Sequence, residues 1–213
     1  MAGTITALKF QQRNPERVNV YLDGEYAFGL AAVAAARLRK GQVLSDVEIA
    51  ALRTQDAQQQ AFDRAVRFLS YRPRSRAEVE RYLRGKGITE DGIAGVIERL
   101  EQANYLDDEA FARFWVENRE EFKPRSRRAL HYELRQKGVS SQVIARALNA
   151  SGDEAAAWRA VEGRLARWAG LPRNELRQKI ANYLSRRGFD YEIITLIFEK
   201  ACEMLSIEDR GID

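Results

Sequence analysis

The chain has 213 residues, of which 45% are hydrophobic, so it can bury a core in one large domain or in several small ones. Lys and Arg total 35 against 31 Asp and Glu, a formal net charge of +4 that permits contact with a polyanion without requiring it. The single cysteine, Cys202, and the single histidine, His131, exclude an intramolecular disulfide and a four-ligand structural zinc site. No segment has the apolar character of a signal peptide or of a membrane span, so we expect a soluble, cytoplasmic protein.

The first thirty residues have the pattern of antiparallel strands. Residues 4–10 and 17–22 alternate apolar and polar side chains, and Asp23-Gly24 follows the second run. Asp-Gly favours a type I′ turn, because both central residues of that turn need positive φ. We therefore predict two or three short strands that include a β-hairpin.

Two short helices are predicted after the strands. An alanine-rich stretch, residues 30–39, closes at Gly41, and Ser45 and Glu48 have the spacing of a capping box that opens a second helix. The hairpin and these two helices form a predicted N-terminal module over residues 1–56.

The remainder of the chain is helical and repeats about every 50 residues. Pro-Arg followed by a helix-capping residue occurs three times, at 73–75, 124–126 and 172–174. Each copy leads into an amphipathic stretch that ends in a cation and Gly, at Gly87, Gly138 and Gly188, and the third copy is two residues longer. Pro ends one helix, Ser or Asn caps the next, and Gly ends it.

Each repeat is predicted to contain three helices, over 57–106, 107–151 and 152–213, the last including a C-terminal tail. Because one such unit buries too little surface to be stable alone, neighbouring units must pack together. The predicted fold is mainly α, an elongated tandem array of three three-helix units behind the N-terminal module. The predicted apolar anchors of the first helices are Phe62, Val66, Leu69, Phe111, Phe114, Trp115, Trp158, Val161, Leu165 and Trp168.

These repeats resemble the RecX family of regulatory proteins. The strongest match is residues 105–119, YLDDEAFARFWVENR, together with KGI at 86–88, RQKGV at 135–139 and RRGF at 186–189. Residues 18–29, VNVYLDGEYAFG, resemble the N-terminal extension of longer members. The resemblance covers essentially the whole chain. One departure is Asn104, where the family pattern has Gly, and it concerns only the end of a helix.

The resemblance implies a non-catalytic modulator of RecA. Such proteins bind the RecA filament on single-stranded DNA, lie along its helical groove, and inhibit its ATPase, strand exchange and SOS-related activities. The implied partner is the filament, with at most weak direct contact to DNA. No cofactor, membrane or small-molecule substrate is implied.

Cations at equivalent helix starts and ends are the candidate binding residues, because equivalent positions in a repeat array recur along one face. Composition alone favours ordinary solvated faces, such as the ladder formed by Arg76, Glu80 and Arg84. The resemblance favours a binding surface centred on the second repeat. The candidate residues are Arg74, Arg76, Lys86, Arg119, Lys123, Arg125, Arg127, Arg128, Arg135 and Lys137.

Other functions fit the sequence less well or remain open. A stand-alone nucleic-acid-binding protein built from helix-turn-helix-like units is the main alternative, and a scaffold for another partner is a third. The sequence gives little support for an enzyme. Gly85-Lys86-Gly87 lacks the spaced glycine and the Ser or Thr of a phosphate-binding loop, and no candidate nucleophile accompanies His131. We predict no catalytic residues and no metal site, a surface position for His131 and a buried one for Cys202.

Overall fold

The computed structural model describes residues 2–149 and 152–205, so the end of the chain, where a C-terminal tail is predicted, lies outside the described residues. Within these residues the chain forms four strands and ten helices, so the prediction of a mainly helical fold is confirmed. Contacts divide the chain into two compact units, residues 1–71 with 80–105, and residues 72–79 with 106–213. No helix in the described part is both long enough and apolar enough to cross a membrane.

A four-stranded antiparallel sheet forms the N-terminal part, in the order β3-β2-β1-β4. Its strands are β1 (Gly3–Gln11), β2 (Asn14–Leu22), β3 (Glu25–Ala31) and β4 (Val43–Leu44). The predicted hairpin is confirmed, since Leu22 pairs with Glu25 while Asp23 and Gly24 have φ of 50° and 93°. The sequence did not predict β4, because two residues are too few to show an alternating pattern.

Ten helices follow in chain order. Those of the N-terminal part and the first repeat are α1 (Ala32–Ala35), α2 (Asp46–Ser70), α3 (Arg76–Arg84) and α4 (Glu90–Gln102). The second repeat has α5 (Asp108–Phe122), α6 (Arg127–Gln136) and α7 (Ser141–Ala147). The third has α8 (Asp153–Trp168), α9 (Arg173–Ser185) and α10 (Tyr191–Met204). The prediction of three three-helix units is thus confirmed.

Helix α2 starts as predicted but is much longer than expected. Ser45 Oγ accepts a hydrogen bond from the Glu48 amide at 3.3 Å, and Glu48 Oε2 accepts one from the Ser45 amide at 2.7 Å, which completes the capping box. The helix then continues to Ser70, because no Gly or Pro interrupts residues 46–72. The second predicted short helix and the first helix of the first repeat are therefore one element. The boundary placed after residue 56 falls inside it, and the domain limits stay predictions.

Asp56 holds the sheet against α2. It is 7% exposed and accepts two hydrogen bonds from the Arg17 guanidinium, at 3.1 and 2.8 Å. It also accepts hydrogen bonds from the Ala31 amide at 3.0 Å and from Gln60 Nε2 at 2.6 Å. A buried carboxylate is stable only when its oxygens are paired in this way, so these contacts tie β2 and β3 to the middle of the helix.

The helix ends behave largely as the repeat pattern predicts. Gly87, Gly138 and Gly188 have φ of 78°, 81° and 89°. The amide that follows each glycine donates to the carbonyl five residues back, as in Val139 to Leu134 at 3.1 Å, which is a Schellman motif. Asn104, with φ of 56°, ends α4 in the same left-handed conformation without a glycine.

The predicted cap at Asn174 is wrong. Helix α9 begins at Arg173 directly after Pro172, and Asn174 lies inside its first turn, where its Oδ1 accepts from the Glu175 amide at 2.9 Å. Proline already has a φ suited to a helix start, so this helix begins without a side-chain cap.

The cores of the second and third repeats contain most of the predicted anchors. Phe111 and Trp168 are buried, and so is Cys202, as predicted. Trp115 and Trp158 are half-buried beside these cores. The prediction that Phe114 is an anchor is wrong, because it is 43% exposed. The buried face of α5 passes through residues 111, 112, 115 and 116, and residue 114 points away from it.

Candidate functional site

The outer face of α6 is cationic and aromatic. Leu130 and Leu134 are buried on the inner face, with relative exposures of 1% and 0%. Glu133, the single acidic residue of α6, is half-buried on the same side. The side chains exposed on the outer face are Arg127, Arg128, His131, Tyr132, Arg135 and Gln136. This face therefore carries three guanidinium groups and no carboxylate, and His131 lies at the surface as predicted.

Two of the candidate cations, Arg119 and Arg125, bind Glu133 and so have a structural role. Glu133 Oε2 accepts hydrogen bonds from Trp115 Nε1 and from Arg119 Nε, both at 2.8 Å, and Arg125 Nε lies 3.0 Å from its Oε1. The Arg119 guanidinium also lies 4.7 Å from the centre of the Trp115 ring. Arg119 and Arg125 are thus engaged in packing α5 and the chain before α6 against Glu133.

Lys137 and Arg74 lie in a second buried cluster, around Glu78. The Lys137 ammonium donates to Glu78 Oε1 at 2.8 Å, and Arg72 donates to the same carboxylate at 2.9 Å. Burial by itself would raise the pKa of Glu78, but the hydrogen bonds from Arg72, Lys137 and the Ser75 amide lower it to about 2. Arg74 is half-buried nearby, and burial together with the charge of Arg72 lowers the pKa of its guanidinium.

The other candidate cations are exposed. Lys86 lies in the unit formed by residues 1–71 and 80–105, with its ammonium 5.5 Å from the centre of the Tyr82 ring. The rest belong to the other unit, where Lys123 ends α5 and the others lie on α3 and α6: Arg76, Arg127, Arg128 and Arg135. Arg128 donates to the Gly188 carbonyl at 3.3 Å, and Arg135 donates to Ser141 Oγ at 2.8 Å.

A comparison of equivalent helices shows what distinguishes α6 from α3. In the first repeat the Arg84 guanidinium is paired with Glu90, at 2.7 and 2.9 Å. In the second repeat the equivalent arginine, Arg135, donates to the neutral hydroxyl of Ser141, and among the described residues it forms no ion pair. His131 similarly occupies the position of Glu80. The second repeat therefore keeps the equivalents of Arg76 and Arg84 but lacks those of the carboxylates Glu80 and Glu90. Both helices have an aspartate at their start, since Asp153 accepts from the Arg127 amide as Asp108 does from that of Arg76.

Two exposed aromatic residues belong to this surface; the sequence left the role of Tyr132 open and did not single out Phe122. Tyr132 and Phe122 are 66% and 65% exposed, beside the arginines of α6 and beside Lys123 respectively. An alignment of the first two repeats would have pointed to this surface, because acidic residues of the first repeat are replaced by neutral ones in the second.

The described residues offer no arrangement suited to catalysis by a metal. No group of three or more His, Cys, Asp and Glu side chains there could hold a metal ion. Gly85-Lys86-Gly87 is the end of α3 and its cap, since the Ile88 amide donates to the Leu83 carbonyl at 3.3 Å. The exposed cations of α6 are suited to binding an anionic surface.

Comparisons with known proteins agree along the length of the chain. Family models match residues 3–45 as the regulatory protein RecX N-terminal domain, and 61–100, 107–148 and 152–197 as the first, second and third three-helix domains of RecX. The chain is 35% identical to regulatory protein RecX of Bacillus subtilis, over 92% of this chain and 76% of the relative. It is 34% identical to the regulatory protein RecX of Lactobacillus gasseri, over 98% and 78% of the two chains. A crystal structure of a regulatory protein RecX is similar with a TM-score of 0.71 at 27% identity, over 92% of this chain and 99% of that one.

Proposed function

Because this chain belongs to the RecX family of regulatory proteins, we propose that it binds the RecA filament on single-stranded DNA and inhibits its activities. The inhibited activities are ATP hydrolysis, strand exchange and SOS-related functions. The protein acts without catalysis of its own, in the cytoplasm. Its relatives are named as regulatory proteins, which supports this proposal.

The outer face of α6 is the proposed contact surface, and one observation carries this assignment. The face holds Arg127, Arg128 and Arg135 without any carboxylate, whereas the equivalent face of α3 has acidic partners. An unbalanced cationic face attracts an anionic partner, whether an acidic protein surface or the phosphates of the bound strand.

Helix stability does not account for these arginines. Arg127 and Arg128 occupy the first two positions of α6, and its first turn contains no acidic residue. The helix dipole disfavours cations there, by about 0.3–1 kcal/mol each, and the Asp153 carboxylate, which accepts from the Arg127 amide at 2.7 Å, offsets only part of this cost. Two arginines kept at an unfavourable position support a role in binding.

The test is ATP hydrolysis by the cognate RecA on single-stranded DNA, titrated with the wild-type protein and with R127E/R128E/R135E. We expect wild-type inhibition well below one molecule per RecA with free DNA in excess, and at least tenfold weaker inhibition by the variant. Arg125 is excluded because it binds Glu133. The matched control is R13E/R39E/K40E, which reverses three exposed cations of the N-terminal part. Full inhibition by a folded α6 variant would refute the assignment of the surface.

Direct binding to nucleic acid is the second candidate function. Tyr132 is 66% exposed among the arginines of α6, and an exposed aromatic ring between cations can stack on an unpaired base. Direct binding through Z phosphates predicts a slope of about −0.7Z in a plot of log affinity against log salt. Inhibition that begins only when the protein covers the DNA would favour this alternative.

A further inference from the structure

The two joints between consecutive repeats differ in how their charges are balanced. At the first joint Ser75 Oγ donates to the Lys137 carbonyl at 2.5 Å, and the Lys137 ammonium is bound to Glu78. At the second joint the Ser126 amide donates to the Arg187 carbonyl at 3.1 Å. Arg187 is the repeat equivalent of Lys137, and Ala129 is the equivalent of Glu78. The second joint therefore keeps the cation and lacks the carboxylate.

Two guanidinium groups lie against one aromatic ring at this second joint. The guanidinium carbon of Arg187 is 3.7 Å from the centre of the Tyr183 ring, and that of Arg164 is 4.4 Å from the same centre. Trp168 supports the ring from an edge-to-face position at 5.8 Å. Within the part of the chain that the structure describes, neither arginine forms an ion pair. We call Arg164, Tyr183 and Arg187 the Tyr183 cluster. Arg125, which is paired with Glu133, precedes Ser126 at the same joint.

The cluster concentrates positive charge in a half-buried place. Burial lowers the pKa of the Arg187 guanidinium, and the charges of Arg164 and Arg125 lower it further, against an opposing effect of Tyr183. Arginine stays protonated despite such repulsion, so a counter-anion bound between these guanidinium groups would stabilise them. Glu133 binds Arg125 and Arg119, and in the described residues it forms no ion pair with Arg164 or Arg187.

We propose that the Tyr183 cluster is a binding site for a phosphate-type oxyanion. Guanidinium groups hold phosphate oxygens through paired hydrogen bonds, and a tetrahedral oxyanion offers enough oxygens for several of them. A single carboxylate has two oxygens and one charge, which matches this cluster less well. An anion bound there would balance the arginines of the second joint, as the Glu78 carboxylate balances Lys137 at the first. It does not depend on the function proposed for α6.

The first test is thermal unfolding of the full chain in sodium phosphate and in sodium chloride at equal ionic strength. At about ten times the dissociation constant, bound phosphate should raise the Tm of the wild type by about 3 °C over chloride. The variant R164Q/R187Q should lose this difference. The matched control R167Q/R186Q, which changes exposed arginines on the same two segments, should keep it. An equal phosphate effect in R164Q/R187Q and in the wild type would overturn the proposal.

A second variant tests the same site without removing a cation. Ala129 is the third residue of α6, so A129E places a carboxylate at the position that Glu78 has at the first joint. We expect a higher Tm in chloride and no additional rise in phosphate. A phosphate response in A129E as large as in the wild type would contradict the proposal, even if R164Q/R187Q failed to fold.

The source of the anion is distinguished by binding of a fluorescein-labelled oligo(dT). If the site takes phosphates of a nucleic acid strand, R164Q/R187Q should bind the oligonucleotide more weakly, with a salt slope smaller by about 0.7 per lost contact. If it takes free phosphate, only the thermal measurement should respond. If R164Q/R187Q keeps both the phosphate effect on Tm and the oligonucleotide affinity of the wild type, both forms of the proposal are wrong. The RecA assay would still decide the role of α6.

Discussion

The hydroxyl of Ser75 donates a hydrogen bond of 2.5 Å to the main-chain carbonyl of Lys137, 62 residues further along the chain. The same oxygen accepts a hydrogen bond from the Glu78 amide at 3.2 Å, so one side chain both caps α3 and satisfies the end of α6. Ser75 has no exposed surface, which leaves water no access to replace these bonds. The repeat signal Pro-Arg-Ser therefore marks a joint as well as a helix start.

Ser75→Ala should destabilise the protein more than the loss of an ordinary cap. Loss of the cap costs about 1 kcal/mol. The Lys137 carbonyl, left without its donor, adds about 1 kcal/mol or more. The free energy of unfolding in urea gives the total. The comparison is Thr89→Ala, which removes a cap on the exposed surface and nothing else, and equal losses in the two variants would contradict the prediction.

Gly138→Ala should be far more damaging than Gly87→Ala. Both glycines have positive φ, 81° and 78°, so both substitutions carry the left-handed penalty of about 1–2 kcal/mol. A methyl group on residue 138 would overlap Cβ of Ala77, whereas nothing lies within 4 Å of the equivalent position at residue 87. This steric overlap should cost a further ~1–3 kcal/mol of unfolding free energy in Gly138→Ala, and nothing in Gly87→Ala. Urea unfolding of the two variants measures the difference, and its absence would show that the joint is loosely packed.

Glu78 should contribute to the loss of stability in acid. Its folded-state pKa of about 2 lies below the ordinary value of 4.5, so its contribution is complete above pH 4.5. That contribution disappears as the pH falls from 4.5 through 2, because the carboxylate must then take up a proton. The stability of Glu78→Gln should therefore change less over this pH range than that of the wild type.

The control for the acid experiment is Glu90→Gln. Hydrogen bonds from Arg84 lower the pKa of Glu90 as well, but this pair is on the exposed surface, where water and salt weaken it. Glu90→Gln should therefore reduce the pH dependence of the unfolding free energy less than Glu78→Gln does. Identical pH profiles of unfolding for the wild type and Glu78→Gln would show that the joint does not depend on this charge.

Asp56→Ala should loosen the N-terminal sheet from α2. The substitution leaves the half-buried Arg17 guanidinium and the Ala31 amide without their acceptor, at a cost of about 3 kcal/mol. Hydrogen exchange of the β3 amides should rise more than that of the α9 amides. Asp63→Ala, an exposed change on the same helix, is the control and should leave β3 protected. Unchanged exchange in β3 would mean that apolar contacts alone hold the sheet.

Local signals account for the parts of the fold that were predicted correctly. Asp23-Gly24, the three cation-Gly endings and the caps at Ser75 and Ser126 each act through the backbone of a few neighbouring residues. Such features can be recognised without knowing what packs against them. The length of α2 was missed because a repeat boundary was assumed where no helix-ending residue exists.

Side-chain pairing between elements was not predictable in the same way. Arg119 and Arg125 look like free cations in the sequence, and only the position of Glu133 on the inner side of α6 shows that they are engaged. Lys137 pairs with Glu78, 59 residues away, through a joint whose register no local pattern reveals. Arg164 and Arg187 were overlooked for the same reason, since Tyr183 brings them together only in the folded chain.

The uninterrupted course of α2 has a practical consequence for dissecting this protein into fragments. A fragment that starts at residue 57 would begin in mid-helix, with four unsatisfied amides and no capping side chain. Asp56 would remain with the sheet on the discarded piece, as its last residue, separated from Gln60 and from the rest of the helix that carries it. A fragment that starts at Ser45 would carry its own start signal and the whole helix. Experiments on the three helical repeats by themselves should therefore use that starting point.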